Sequence, residues 1–163
     1  MMSVRKMILG SLLGVSMMGC SAMATSGGAG AGVAQQDGLL TVKSGYSAAE
    51  SVQRIQAALQ EKGMKVFTVI DHQQAAADAQ LSMPAASVIV FGNPKAGTPM
   101  MQKHPTLAID LPLKVLVWED AQGNVFASLN KAEYLGKRHG VPAEVYAPLA
   151  GAEKLIPAVL QAK

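Results

Sequence analysis

Aromatic and thiol side chains are scarce in this 163-residue chain, which has one Trp, three Tyr, three Phe and a single Cys. Proteins that bind single-stranded nucleic acid stack bases on aromatic rings and neutralise phosphates with a dense basic face. Here 14 Lys and Arg are set against 11 Asp and Glu, and Arg5 and Lys6 lie in a segment that we expect to be removed. The composition therefore argues against nucleic-acid binding, and one Cys cannot form a disulfide within the chain.

Motifs that would indicate a cofactor or a metal centre are also missing. The chain has no GxxxxGK[ST] phosphate loop and no HExxH or CxxC pair. Met100 or Met101 with His104 could offer a thioether and an imidazole to a soft metal such as Cu(I), because residues three or four apart share a helix face. Core packing is the commoner role of Met. We therefore predict no cofactor and no metal site, with this copper site as an alternative.

The amino terminus has the pattern of a secretory signal. Arg5 and Lys6 form a positive segment, and residues 7–18 follow as an apolar run without charge. The run is shorter than the roughly 20 residues that a membrane-spanning helix needs. We therefore predict that residues 1–20 are a signal peptide and that the protein is exported.

Two cleavage sites compete at the end of this segment. Residues 17–20, Met-Met-Gly-Cys, resemble a bacterial lipobox in which Met replaces the usual Leu, while residues 22–24, Ala-Met-Ala, offer an ordinary A-x-A site. Residues 21–38 are rich in Ala, Ser and Gly, which is typical of a flexible linker. We predict lipidation at Cys20 and an envelope protein anchored in the membrane. Cleavage at the second site would instead give a soluble periplasmic form without Cys20.

Residues 39–163 are predicted to form one folded domain of the α+β class. Apolar alternation and short β-rich runs predict strands, and apolar residues at helical spacing predict helices. Capping boxes at Ser47 and Asn130 mark two helix starts. The predicted strands are 39–44, 64–70, 86–91, 113–119 and 124–129, and the predicted helices are 48–62, 73–80, 99–104, 131–139 and 153–161.

A rigid polar loop is predicted after the third strand. Residues 92–99 contain two Gly and two Pro, which interrupt both periodicities. Such a loop would present Asn93, Lys95 and Thr98 to an anionic or polar ligand. Alternatively, it is a simple turn in which the Asn93 side chain bonds its own backbone.

His72 and Glu119 are the titratable candidates for proton transfer. His72 follows the second strand, and an imidazole can exchange protons near neutral pH. Glu119 ends the fourth strand beside the hairpin loop 120–123, and a buried Glu there would be a candidate acid or base. The alternatives are a hydrogen-bonded His at a helix end and a solvated turn acid.

Four pieces of the sequence, in order, resemble the domain of unknown function 302 family. They are residues 70–72, residues 91–99, residues 110–120 and the stretch from Tyr134 to Gly140 that contains Arg138-His139. The resemblance implies a two-layer α+β fold of β-α-β-β-β-β-α order, similar to the TATA-binding-protein-like class, with helices on one face of a curved antiparallel sheet and frequent homodimers. It implies no established reaction. Residues 129–131 are Leu-Asn-Lys, where a typical member has Asn-Asp-Pro.

These features predict an exported envelope protein that binds an unidentified small molecule between its sheet and loops. The ligand-binding residues would be His72, Asn93, Lys95, Thr98 and Glu119. One alternative is an enzyme that uses His72 or Glu119 for acid–base chemistry, and another is a periplasmic metal or stress-response protein that uses Met and His.

We expect Cys20→Ala to abolish the membrane attachment of the protein, because Cys20 is the only residue of the chain that the lipoprotein pathway could acylate at the new terminus. The measurement is metabolic labelling with palmitate, followed by fractionation. A Cys20→Ala protein that still labels and still sediments with membranes would show that the lipoprotein prediction is wrong.

Overall fold

Residues 37–161 are the part of the chain that the computed structural model describes. The predicted signal peptide, Cys20 and residues 21–36 of the predicted linker lie outside the described residues. The strands are β1 (Leu39–Lys43), β2 (Lys65–Asp71), β3 (Ala86–Gly92), β4 (Leu113–Glu119) and β5 (Val125–Asn130). The α-helices are α1 (Ala48–Glu61), α2 (His72–Asp78), α3 (Pro94–Lys103), α4 (Ala132–His139), α5 (Ala143–Tyr146) and α6 (Gly151–Leu160), with 3₁₀ turns at Pro105–Ile109 and Ala147–Ala150.

The five strands form one antiparallel sheet in the order β1-β5-β4-β3-β2. Helices α1 and α6 pack on one face of this sheet and complete a hydrophobic core with it. Apart from the short helices α2 and α3 inserted between strands, the order up to β5 is the predicted β-α-β-β-β-β. The prediction of a two-layer α+β fold is confirmed.

Side chains alternate along β4 between the two faces of the sheet, and the helices cover one of these faces. Val115 and Val117 are almost completely buried beneath the helices. Leu116 and Trp118 lie on the opposite face and are half-buried, and the Trp118 ring stacks on Phe126 with 5.0 Å between centroids. Because successive side chains of a strand point to opposite faces, one register fixes both sets.

Helix α1 forms as its sequence predicts. The Ser47 hydroxyl accepts a hydrogen bond from the backbone N–H of Glu50 at 3.2 Å, which satisfies a first-turn donor. Ile55 and Leu59, one turn apart, are fully buried against the sheet. Helix α1 therefore contributes its apolar face to the hydrophobic core.

The hairpin loop between β4 and β5 is held by a single carboxylate. Asp120 accepts hydrogen bonds from the backbone N–H groups of Gln122 and Asn124 at 2.9 and 2.8 Å, and Gly123 has the positive φ of 78° that such a turn requires. Partial desolvation raises the pKa of Asp120. The hydrogen bonds from Asn124 and Gln122 and the positive charge of Lys43 lower it by a larger amount, so the pKa lies below its ordinary value. The role of Asp120 is therefore to stabilise this turn.

The predicted loop at residues 92–99 is wrong, because most of it belongs to helix α3. The Asn93 side chain accepts from the backbone N–H of Lys95 at 3.0 Å, and Pro94 occupies the first helical position, where a missing N–H is harmless. Pro99 lies inside the helix. The bond from Asn93 to its own backbone, given above as the alternative, is present, but it caps a helix that starts five residues earlier than the predicted 99.

The predicted capping box at Asn130 is also wrong. Helix α4 begins at Ala132 after Lys131, whose side chain makes no capping hydrogen bond. The backbone N–H of Ala132 instead donates to Glu153 Oε1 at 2.7 Å. Glu153 lies in α6, so this cap is tertiary and no local motif contains it.

Helix α4 approaches α5 closely at a glycine. A Cβ added to Gly136 would lie 2.0 Å from Tyr146 Cδ1, well inside contact distance. We expect Gly136→Ala to lower the free energy of unfolding by about 1–3 kcal/mol, because the ring must move out of a packed position. Urea unfolding followed by circular dichroism measures this.

The matched control is Gly151→Ala at the start of α6, where no atom lies within 4 Å of an added Cβ. We expect it to raise the free energy of unfolding by up to about 1 kcal/mol, since Ala loses less entropy in a helix than Gly. Equal effects of the two substitutions would contradict the proposed contact.

An apolar cavity at one end of the sheet

A cavity of about 340 Å³ lies at the end of the sheet where β3 finishes and β4 begins. Its lining comes from the start of β2, the β3–α3 junction, α3, the segment entering β4 and the 3₁₀ turn 147–150. The large apolar side chains in the lining are those of Met64, Phe67, Met100, Met101, Leu111, Leu113 and Leu149. Apart from Asn93 and Thr98, every lining residue is apolar or Gly. The surface is therefore suited to an apolar group.

Phe67 reaches the cavity because β2 contains a bulge. The pairing of β2 with β3 shifts register between Val66 and Thr68, so Phe67 is the extra residue. A bulge re-aims a side chain relative to the regular pleat. Phe67 stays 42% exposed and forms part of the lining.

Gly92 is the last residue of β3 and lines the cavity. A Cβ there would meet Pro112 Cβ at 3.6 Å and Phe67 Cε2 at 3.9 Å. Both distances are ordinary van der Waals contacts, so Pro112 and Phe67 both lie next to the end of β3. The Leu111–Pro112 peptide bond is cis.

Helix α3 forms a long wall of the cavity and joins it to a second small core. Met100 is buried with Leu107, Leu111 and Val141 in this core, which is separate from the one beneath α1 and α6. An added Cβ at Gly97 would lie 3.9 Å from Met101 Cε and 4.0 Å from a Leu111 methyl group. The glycine therefore leaves space inside the wall.

Two of the five predicted ligand-binding residues line the cavity. Asn93 and Thr98 are in its wall, although the Asn93 Oδ1 atom already serves as the cap of α3. Lys95 is exposed and stands between two lining residues, Pro94 and Ala96. The helix thus brings together the part of the predicted site that lies within 92–99.

His72 and Glu119 lie at the opposite end of the sheet. Asp71, just before His72, pairs with Ser87, and Trp118, just before Glu119, pairs with Ala86. The cavity lies beyond the other end of β3, at Gly92. His72 is exposed at the start of α2 and is separated from Glu119 by strand β3. These two residues do not join Asn93 in one concavity.

The three residues considered for a copper site do not all line the cavity. Met100 and Met101 both line the cavity, whereas His104 ends α3 and is not part of the lining. Within residues 37–161 there is no group of three or more His, Cys, Asp or Glu that could hold a metal ion. Met100 is buried in the second small core, and Met101 packs against it.

Comparison with known proteins agrees with this architecture. The family model described as Domain of unknown function DUF302 matches residues 40–160. The chain belongs to the DUF302 family. A solved structure described as an uncharacterized conserved DUF302 protein from Bacillus stearothermophilus has a TM-score of 0.66 at 19% identity, and the match covers 77% of this chain and 97% of that one. At this identity the likeness shows the fold.

The chain also has curated relatives that are named as ion channels. Proteins named fluoride-specific ion channel FluC 1 from Brucella suis and Brucella abortus are each 42% identical over 104 residues. The matched part is 64% of this chain but 41% and 38% of those proteins, so the chain spans about two fifths of their length. Within residues 37–161 no helix is long and apolar enough to cross a membrane.

A charged cluster beside the cavity ties the DUF302 domain together. Asp110 Oδ2 lies 2.6 Å from His139 Nε2, Asp110 Oδ1 accepts from Arg138 at 3.2 Å, and His139 Nδ1 lies 3.0 Å from the Thr106 hydroxyl. The side chains of His139 and Asp110 are only 6% and 11% exposed. The cluster joins the end of α4 to the segment that leads into Leu111, a lining residue.

The cluster is not part of the cavity wall. A hydroxyl, an imidazole and a carboxylate in a row are the groups of acyl-transfer catalysis, but none of these three side chains lines the cavity. No local motif of the sequence contains the contact between Asp110 and His139, because the two residues are 29 positions apart.

We expect a double-mutant cycle on Asp110→Asn and His139→Gln to give a coupling free energy of about 0.5–3 kcal/mol, because both groups are nearly buried and in contact. Chemical unfolding of the four proteins measures it.

The matched control cycle uses Glu133 and Lys137, an ion pair on the same helix α4 with side chains 62% and 75% exposed. Solvent screens that pair, so its coupling should be much smaller. Equal coupling in the two cycles would show that the Asp110 cluster does not hold the domain together.

Proposed function

We propose that this DUF302 domain binds a small, mainly apolar molecule in the cavity beside α3. The observation that carries the proposal is the lining itself, in which apolar side chains surround about 340 Å³ with only Asn93 and Thr98 as polar side chains. Ligand pockets of proteins are about 300–1,000 Å³ and share this mixture of many apolar and few polar groups.

Binding is better supported than acid–base catalysis. His72 is exposed at one end of the sheet, and Glu119 is on the far side of β3 from it. A general acid and a general base must both reach the reacting atoms within hydrogen-bond distance. Neither His72 nor Glu119 lines the cavity, so the apolar cavity does not support the enzyme alternative.

We further propose that the domain works at a membrane surface, exported and anchored by lipid at Cys20. The support is the sequence of residues 1–20 and the linker that follows. The Brucella relatives that are 42% identical to it over 104 residues are named ion channels, and an ion channel works in a membrane. A similar domain would thus stand beside a membrane in both settings.

The ligand proposal predicts that filling the cavity from its own wall abolishes binding. In Gly97→Leu the new side chain would enter the space next to Met101 and Leu111, while a helical glycine replaced by Leu should keep α3 folded. We expect the affinity of the protein for the fluorescent dye N-phenyl-1-naphthylamine to fall at least tenfold, since a filled cavity excludes the dye. Titration of the dye measures this.

Gly151→Leu is the control, because it is also a helical glycine replaced by Leu but lies outside the cavity lining. It should bind the dye as the unsubstituted protein does. Undiminished binding by a folded Gly97→Leu protein would contradict the cavity as the ligand site.

A further inference from the structure

The chain segments that line the cavity carry charge of one sign. The chain segments that line it contain two Lys and no Asp or Glu; they are residues 64–67, 92–101, 111–113 and 148–149. The two cations are Lys65 and Lys95. Neither forms an ion pair with any of the residues 37–161. Their charge is therefore available to a ligand.

Both cations stand at the rim. The Lys65 Nζ atom lies 5.0 Å from the centroid of the Phe67 ring, and Phe67 is a half-exposed lining residue. Lys95 is exposed in the first turn of α3, between the lining residues Pro94 and Ala96. The Lys65 ammonium group therefore lies beside the apolar lining, and Lys95 is an exposed residue of the helix that forms part of the wall.

The acid closest along the chain to a lining residue does not offset these charges. Asp110 immediately precedes Leu111, but its carboxylate is bound by Arg138 and by His139. A negatively charged group at the rim would therefore meet Lys65 and Lys95 without a free carboxylate from the lining segments to repel it.

The interior suits a flexible chain. Its lining includes Met64, Met100 and Met101, whose unbranched thioether side chains adjust to ligands of varied shape. No charged side chain belongs to the lining. An apolar interior with cations at its rim is complementary to a molecule that has an apolar tail and an anionic head.

We propose that the ligand is a single-chain amphiphile with an anionic head group, of which a fatty acid carboxylate is the simplest form. Its tail fills the cavity along α3, and its head lies between Lys65 and Lys95. This inference rests on the proposed function, since it names the chemical class of the ligand of the same cavity.

The test compares three probes of equal chain length in displacing N-phenyl-1-naphthylamine from the purified full chain. The chain carries Cys20→Ala, so that the protein itself has no acyl group. Dodecanoate should bind about three- to tenfold more tightly than dodecan-1-ol, and dodecylammonium should bind most weakly. The advantage of dodecanoate should shrink as salt is added, because exposed charges are screened.

Substitution of the two cations identifies the head-group contact. Lys65→Gln combined with Lys95→Gln should remove the preference for dodecanoate over dodecan-1-ol and leave the affinity for the alcohol unchanged. The control is Lys43→Gln on β1, at the other edge of the sheet, which should keep the preference.

The outcomes separate the two proposals. Equal binding of the alcohol and the carboxylate would overturn the anionic head group but leave the cavity as an apolar ligand site. A preference that survives the double substitution would overturn the assignment to Lys65 and Lys95. Displacement by neither compound, with dye binding unaffected by Gly97→Leu, would overturn the cavity site as well.

Discussion

The antiparallel pairing of β3 with β4 is the constraint on which the rest of the domain depends. Ile89 faces Val115 at the centre of this pair, and both side chains are completely buried beneath the helices. The same register brings Phe91 opposite Leu113 at one end and Ala86 opposite Trp118 at the other. Because register cannot slip by one residue without turning the buried set outward, the core fixes where the two ends of the sheet lie. The cavity belongs to one end and the hairpin to the other.

Local patterns were enough to predict most of the fold. Apolar alternation and short β-rich runs predicted the five strands, and the Ser47 capping box predicted the start of α1. The misses arose where a distant residue decides the local structure. Helix α4 is capped by Glu153 from another helix, and Asp110 meets His139 across 29 positions. Neither contact leaves a signal at short spacing.

The candidate site was predictable only in the part encoded by one segment. Asn93, Lys95 and Thr98 fall together because they share the first turns of α3, even though that segment was predicted as a loop. His72 and Glu119 were grouped with them because each ends a strand and is polar. Antiparallel topology sends those two strand ends away from Gly92, and a sequence alone does not state which ends meet. Phe67 and the two Met of the wall looked like ordinary core residues, since nothing local distinguishes a cavity lining from a packed interior.

The bulge at Phe67 has a second effect, on the outer edge of the sheet. Strand β2 is an edge strand, and its free hydrogen-bonding groups could pair with a strand from another molecule. An extra residue between Val66 and Thr68 breaks the even spacing of those groups, and Lys65 adds a charge beside it. The distortion that turns an aromatic ring toward the cavity thus also makes this edge a poor template for unwanted β-sheet assembly.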